Sequence, residues 1–279
     1  YFLNGNIREF LHIVRSDQVA DSFSLVIENI DTQYTSNRIT RSDRGLKYVG
    51  DMHEIVQTEN NFNAQVPYRW GFIRDVDSEY MKSRTTERKL SDIQTLMRMR
   101  DENPDDPRNY YYIADSCICL KDWVKAEEWF RKRASIPGGN RSEIQDSLYY
   151  IAVINHMLLG TPWEQCHELY LKCYDFEPTR AESLYFVGKH YLDQGMTSTA
   201  FMYLKHAFSL GFPEITMSIR KNIYNYHLPK DLMNVCYSQK AYKLGEECAD
   251  KVLRYNSDDK FADKWKNTFT LINNLDLTR

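Results

Sequence analysis

Three stretches decide the fold of this chain: YYYIADSCICLKDWVKAEEWFRKRASIP (110–137), SLYYIAVINHMLLGTPWEQCHELYLKCYDFEP (147–178) and SLYFVGKHYLDQGMTSTAFMYLKHAFSLGFP (183–213). Each holds an aromatic-rich helical segment, a short turn, a second helical segment, and then a proline, which cannot continue a helix. In the second segments a small residue (Ala126, Cys166, Ala200) is followed four positions on by a large one (Phe130, Tyr170, Leu204). Residues at i and i+4 share a helix face. The small one lets a neighbouring helix approach while the large one fills the adjoining groove. A weaker fourth unit runs from Asp231 to Asn256, with Gly245 and Ala249 in corresponding places. Agreement among the units predicts a mainly α chain of antiparallel helix pairs, a solenoid.

The spacing and the small–large–proline pattern resemble the tetratricopeptide repeat (TPR), with Ala114, Gly188, Tyr191, Gly195, Ala200 and Ala207 at matching positions. The period drifts around the usual length of roughly 34 residues, and the second repeat has a slightly longer turn. The resemblance implies a concave groove of the kind that binds peptides or partner proteins. A plainer alternative is that the helices only brace the segment before them. The twenty tyrosines leave both readings open, since they serve packing as readily as binding.

Ahead of the repeats, Pro104-Asp105-Asp106-Pro107 stops a long polar helix that begins near Val76 and carries Leu90, Ile93, Leu96 and Met97 at helical spacing. Earlier still the period changes. In SFSLVIENI (22–30), Phe23, Leu25 and Ile27 alternate, the mark of a half-buried strand. Short extended segments follow at Gln33–Ile39, Leu46–Val49 and Glu54–Gln57, separated by turn residues, and Ile7–Leu11 precedes them as a short helix. The expected organisation is a short α/β segment over 1–75 and a helical-repeat domain over 76–279.

Composition narrows the function classes. Lys plus Arg number 36 and Asp plus Glu 39, for a net charge of −3, with 42% hydrophobic and 27% charged residues. That balance lacks the basic excess of a dedicated nucleic-acid binder. The longest apolar run, Leu148 to Ile154, is far below the roughly 18 residues of a membrane span. The opening Tyr1-Phe2-Leu3-Asn4 lacks the charged flank and apolar stretch of a secretory leader. A cytoplasmic protein is expected. Cys117, Cys119, Cys166, Cys173, Cys236 and Cys248 fall inside helical apolar patterns, where cysteine packs as a small hydrophobe, and Cys117-x-Cys119 lacks zinc or redox spacing.

One string carries chemistry: YTSNRITRSDRGLKYVGDMHE (34–54). It runs from an extended segment through Arg38-Ile39-Thr40-Arg41 and a turn to Tyr48-Val49-Gly50 and His53-Glu54. This order resembles the closing part of the catalytic domain of family-2 glycosyltransferases of the GT-A fold, a subset of which continues into TPR-like helices. The family pattern is Arg-hydrophobic-aromatic-Arg, then Tyr-x-Gly-x-x-His-Glu, and Thr40 departs from it at the aromatic position.

The resemblance implies a metal-assisted transferase using a nucleotide-sugar donor and a glycan or protein acceptor. Arg38, Arg41 and Tyr48 would contact substrate, the arginines by hydrogen-bonding its phosphates. His53 would hold a divalent cation, manganese or magnesium, that stabilises the leaving diphosphate. Glu54 would be the catalytic carboxylate, orienting His53, holding the acceptor hydroxyl, or doing neither. Extended alternation would send His53 and Glu54 to opposite faces. Each residue also has a plainer reading: arginines solvated or paired at strand ends, a hydrogen-bonded structural histidine, and a turn covered by Tyr48.

The Asp-x-Asp pair that such enzymes place ahead of this motif does not precede Ser22, and Asp75-Val76-Asp77 follows it, in the wrong order. The chain is therefore expected to be the C-terminal part of such an enzyme and inactive alone. Two alternatives stand beside it. One is a non-catalytic TPR-like scaffold. The other is a metal hydrolase, which finds no His-Glu-x-x-His pairing among His12, His156, His167, His190, His206 and His227.

Overall fold

The computed structural model describes residues 1–16, 19–50, 52–57, 62–76, 79–214 and 217–276. Asp51 and Asp77, named in the motifs above, lie outside them. The chain divides into two compact units: Tyr1–Tyr150 with Ile215–Ile219, and Ile151–Glu214 with Arg220–Arg279.

The first unit opens with β1 (Phe2–Asn4), α1 (Ile7–Val14), β2 (Ser22–Glu28) and β3 (Gln33–Thr40), followed by β4 (Lys47–Val49), β5 (Ile55–Gln57), β6 (Asn63–Gln65) and β7 (Phe72–Arg74). The main sheet has the order β1-β7-β2-β3, with β6 also pairing β2. β2 is antiparallel to β3 but parallel to β6 and β7, while β4 and β5 form a separate antiparallel ribbon. The sheet is mixed, as the sequence suggests. β2, however, is not half-buried. All seven residues are buried: Phe23 and Leu25 pack into the core with Phe10, and the alternate positions Ser22 and Ser24 are held by neighbouring strands. Its polar positions are satisfied within the sheet: Asn37 Nδ2 donates to Ser22 Oγ (2.8 Å), which donates to Asn63 Oδ1 (3.1 Å), and Asn63 Nδ2 donates to Ser24 Oγ (2.8 Å). Buried hydroxyls and amides are tolerated only when paired in this way.

α1 begins at a reciprocal cap, with Asn6 Oδ1 accepting from the Glu9 amide (3.3 Å) and Asn6 Nδ2 donating to Glu9 Oε2 (2.6 Å). Its Phe10 packs edge-on against Phe23 (5.5 Å between ring centroids) in a core with Ala20, Leu25 and Val66.

α2 (Glu79–Glu102), α3 (Pro107–Cys119) and α4 (Trp123–Ser135) follow, with the opening of α5 (Arg141–Met157). The predicted proline stop both ends α2 and starts α3: Asp106 caps α3 by accepting from the Arg108 amide (3.0 Å), and Pro107 occupies the first turn, where no amide donor is needed.

The second unit continues with the rest of α5, α6 (Trp163–Phe176), α7 (Glu182–Asp193), α8 (Thr197–Ser209), a π-helical turn (Ile223–His227), α9 (Leu228–Cys236), α10 (Tyr242–Tyr255) and α11 (Lys260–Asp276). The small–large pairs read from the sequence form the helix contacts: Ala126, Phe130, Cys166, Tyr170, Ala200 and Leu204 are all fully buried. At Gly188 a Cβ would stand 2.7 Å from the Leu204 side chain, so α7 and α8 touch where no other residue fits. Gly245 meets Phe269 of α11 in the same manner. The cysteines are free, and all but Cys119 are buried. Cys119 is exposed, which departs from the core role expected of it.

Candidate functional site

The motif residues are spread over separate pieces of the first unit. Arg38 is the extra residue of a bulge in β3, opposite the step between Phe23 and Ser24, and its side chain is exposed. Arg41 is committed to backbone: Nε donates to the Ala20 carbonyl (2.7 Å), Nη2 to Val14 (2.9 Å) and Nη1 to Arg15 (3.4 Å). It thereby satisfies carbonyls at the end of α1 that have no intrahelical partner. Tyr48 stands exposed on the β4–β5 ribbon, and Glu54 is exposed too. Among the described residues these four share no hydrogen bond or ion pair with one another or with His53.

His53 is placed by packing. Its backbone is left-handed (φ 52°), not extended. Its ring lies flat on Tyr112 of α3, with centroids 3.7 Å apart and planes 8° apart. Arg108 donates from Nη2 to the His53 carbonyl (2.9 Å) and stands over the Tyr112 ring (4.8 Å). Its Nη1 reaches Glu143 Oε1 (3.1 Å), which Arg133, wholly buried, also contacts through Nε to Oε2 (3.3 Å). Burial, then the charges of Lys89, Arg108 and Arg88, push the His53 imidazole down to about 4, so it is neutral at pH 7. Its Nε2 is buried without a hydrogen-bond partner among the described residues.

Among the described residues the charges that act on His53 are positive, and no three of His, Cys, Asp and Glu gather as a metal-holding group.

A different surface forms in the second unit, which the sequence reading did not single out. α6 and α7 are antiparallel neighbours, so the start of α6 and the end of α7 lie at one end of the pair. There Trp163 stacks on His190 (3.5 Å, 5°). Nearby, His156 Nδ1 pairs with the Tyr170 hydroxyl (3.0 Å), His167 Nε2 faces the Tyr203 hydroxyl (3.4 Å), and Tyr191 stacks on Tyr203 (5.8 Å). Burial lowers the titration of His156, helped by His190, and burial likewise lowers His190. Lowered below the ordinary imidazole value, these two are mainly neutral at pH 7.

The turns at this end expose apolar side chains: Met157 (59%), Leu158 (46%) and Leu159 (40%) before Gly160, and Met196 (49%) after Gly195. Both glycines have positive φ, which the tight turns require. Turns ordinarily carry polar residues. The consecutive Met157-Leu158-Leu159 ahead of a glycine was the one sequence signal that could have revealed this surface.

No protein-family model and no curated protein matches the chain. Solved structures do resemble it. The C-terminal part of a TPR repeat-containing protein from Cytophaga hutchinsonii is 14% identical with a TM-score of 0.47, over 71% of this chain and 70% of that one. MamA 41-end from Desulfovibrio magneticus RS-1 gives 15% and 0.44, over 65% and 94%. YrrB, described as a TPR protein with an unusual peptide-binding site, gives 12% and 0.43, over 67% and 87%.

None of these likenesses is to a glycosyltransferase, and the transferase reading is not carried further. The structures that this chain resembles here are repeat proteins, and nothing among them supports a GT-A portion. Among the described residues, Arg38, Arg41, Tyr48, His53 and Glu54 are not joined by hydrogen bonds or ion pairs into one site. No described helix is long and apolar enough to cross a membrane.

Proposed function

We propose that this chain is a non-catalytic, TPR-like scaffold whose second unit docks a partner protein through the exposed end of α6 and α7. The observation that carries this reading is that Met157, Leu158, Leu159 and Met196 stand in solvent on the two turns at the end of the pair where Trp163 stacks on His190. Apolar side chains grouped at one end mark an interaction site more often than chance exposure does. Methionine adapts to varied apolar partners, and the aromatic stack behind it offers a rigid backing. The occupant is a partner segment that presents apolar side chains, since the neutral histidines offer no charge to an acidic one.

The test is the affinity of the purified partner, isolated with the native chain, for Met157→Lys/Met196→Lys. Burying one methionine is worth roughly 1.5–3 kcal/mol, so affinity should fall at least about tenfold while the exposed positions leave the fold intact. Unchanged affinity in the double variant would remove this surface from the docking site.

A further inference from the structure

Away from that surface, in the first unit, α1 and the β2–β3 pair enclose an open cleft of about 440 Å³. Its floor is apolar. Phe23 and Ile39 are register partners on adjacent strands and present one continuous patch, which Leu11 and Val14 of α1 extend. Its rim is basic. Arg8, His12 and Arg15 follow one another at i, i+4 and i+7, so α1 sets all three along the same side of the cleft. All three are exposed, and their side chains make no hydrogen bond or ion pair among the described residues. Arg41 lines the wall and is held rigid by the carbonyls it binds. Among the described residues no carboxylate lines the cleft, in a chain where acids outnumber bases by 39 to 36.

We propose that this cleft binds an amphipathic organic anion, a phosphate or carboxylate head carried on an apolar body. The guanidinium groups of Arg8 and Arg15 take the head, since a planar fork matches both anions with two parallel hydrogen bonds. The body lies over Phe23 and Ile39. The volume is that of a small-molecule site, with an apolar lining and a few polar groups that fix orientation. Partner docking in the second unit plays no part in this assignment.

Titration of the full chain with phenyl phosphate, followed by NMR, tests it. Saturable shifts are expected on α1 and β3, with Kd on the order of 1 mM or tighter. Phenylacetate distinguishes a carboxylate head from a phosphate head, and its binding by either preference upholds the proposal. Inorganic phosphate and benzyl alcohol, each half of the ligand, should bind at least about tenfold more weakly. Arg8→Gln/Arg15→Gln, and separately Thr40→Asp, which sets a carboxylate on the rim, should each weaken phenyl phosphate at least about tenfold. Lys47→Gln, a basic residue on β4, should leave it unchanged. The proposal is overturned by equal affinity in the native chain and both rim variants, by inorganic phosphate binding as tightly as phenyl phosphate, or by the absence of saturation. Adhesion to phosphatidylserine vesicles without phenyl phosphate binding would likewise overturn it, in favour of a surface-binding helix.

Discussion

Acidifying the solution from pH 7 to pH 5 should destabilise the first unit through His53. The ring is pressed on Tyr112, and burial together with Lys89, Arg108 and Arg88 holds its titration at about 4. In the unfolded chain the same imidazole titrates near 6.5. A folded pKa below the unfolded one means that, under about pH 6.5, the unfolded state takes up a proton the folded state refuses. Stability therefore falls from about pH 6.5 downward and levels off below about 4. Two and a half pK units amount to about 3.4 kcal/mol at the limit, of which about 2 kcal/mol is reached by pH 5. The ring is only partly buried, so solvent screening reduces the expectation to about 1–1.5 kcal/mol. His53→Phe keeps the stacked ring and removes both the titrating group and the buried Nε2 that lacks a partner. Urea unfolding at both pH values, followed by circular dichroism, compares it with the native chain. The variant should be at least as stable at pH 7, since losing an unsatisfied polar atom is close to neutral. It should also lose about 1 kcal/mol less on acidification, the remaining loss coming from groups such as His156 and His190. An identical pH dependence in both chains would refute the reasoning. So would a loss of more than about 2 kcal/mol at pH 7, because the ring nitrogen would then be making a contact that matters.

Three further outcomes follow from packing and pairing. Gly188→Ala drives a Cβ to 2.7 Å from Leu204 and should cost about 1–3 kcal/mol, read as a lowered Tm; an unchanged Tm would mean that α7 and α8 separate freely. Glu182 is buried with Arg180, whose Nε donates to Oε2 (2.9 Å), and with the Tyr224 hydroxyl (2.5 Å). Burial alone would raise its carboxyl, but Arg180, Arg220 and Tyr224 bring it below its ordinary value. Glu182→Gln should cost about 3–5 kcal/mol in urea unfolding by leaving a buried guanidinium unpaired, and a variant as stable as the native chain would show the network to be dispensable. Asp106→Ala should cost about 1 kcal/mol through loss of the α3 cap, with Asp106→Asn restoring most of it.

The helical part was legible because its signals are local. Ala126 and Phe130, or Ala200 and Leu204, are four residues apart, so the helix itself brings each pair to one face. All four are buried whatever the details of the turn. Pro104 to Pro107 likewise act on their own backbone. The sheet was less legible. β6 and β7 are three residues each, and they pair with β2 from roughly forty residues further along the chain. Nothing in Asn63–Gln65 alone announces that contact. The polar face of β2 looked solvated because Ser22 and Ser24 find Asn37 and Asn63 only after folding.

The arginine–histidine string misled for the same reason. Spacing cannot show that the Arg41 guanidinium holds the end of α1, or that His53 meets Tyr112, which lies far along the chain, among positive charges. The exposed end of α6 and α7 assembles from two turns, and only the Met157-Leu158-Leu159 run hinted at it.

Site-specific crosslinking tests the docking claim most directly. A photoreactive benzoylphenylalanine is placed at Met196, in the turn between α7 and α8, and in a separate chain at Asn234, exposed on α9, and each is irradiated in the native source. The account predicts a partner protein joined to position 196 and not to 234. Excess native chain should compete it away, and excess Met157→Lys/Met196→Lys chain should not. Equal labelling from both positions, or equal competition by the variant, would contradict it.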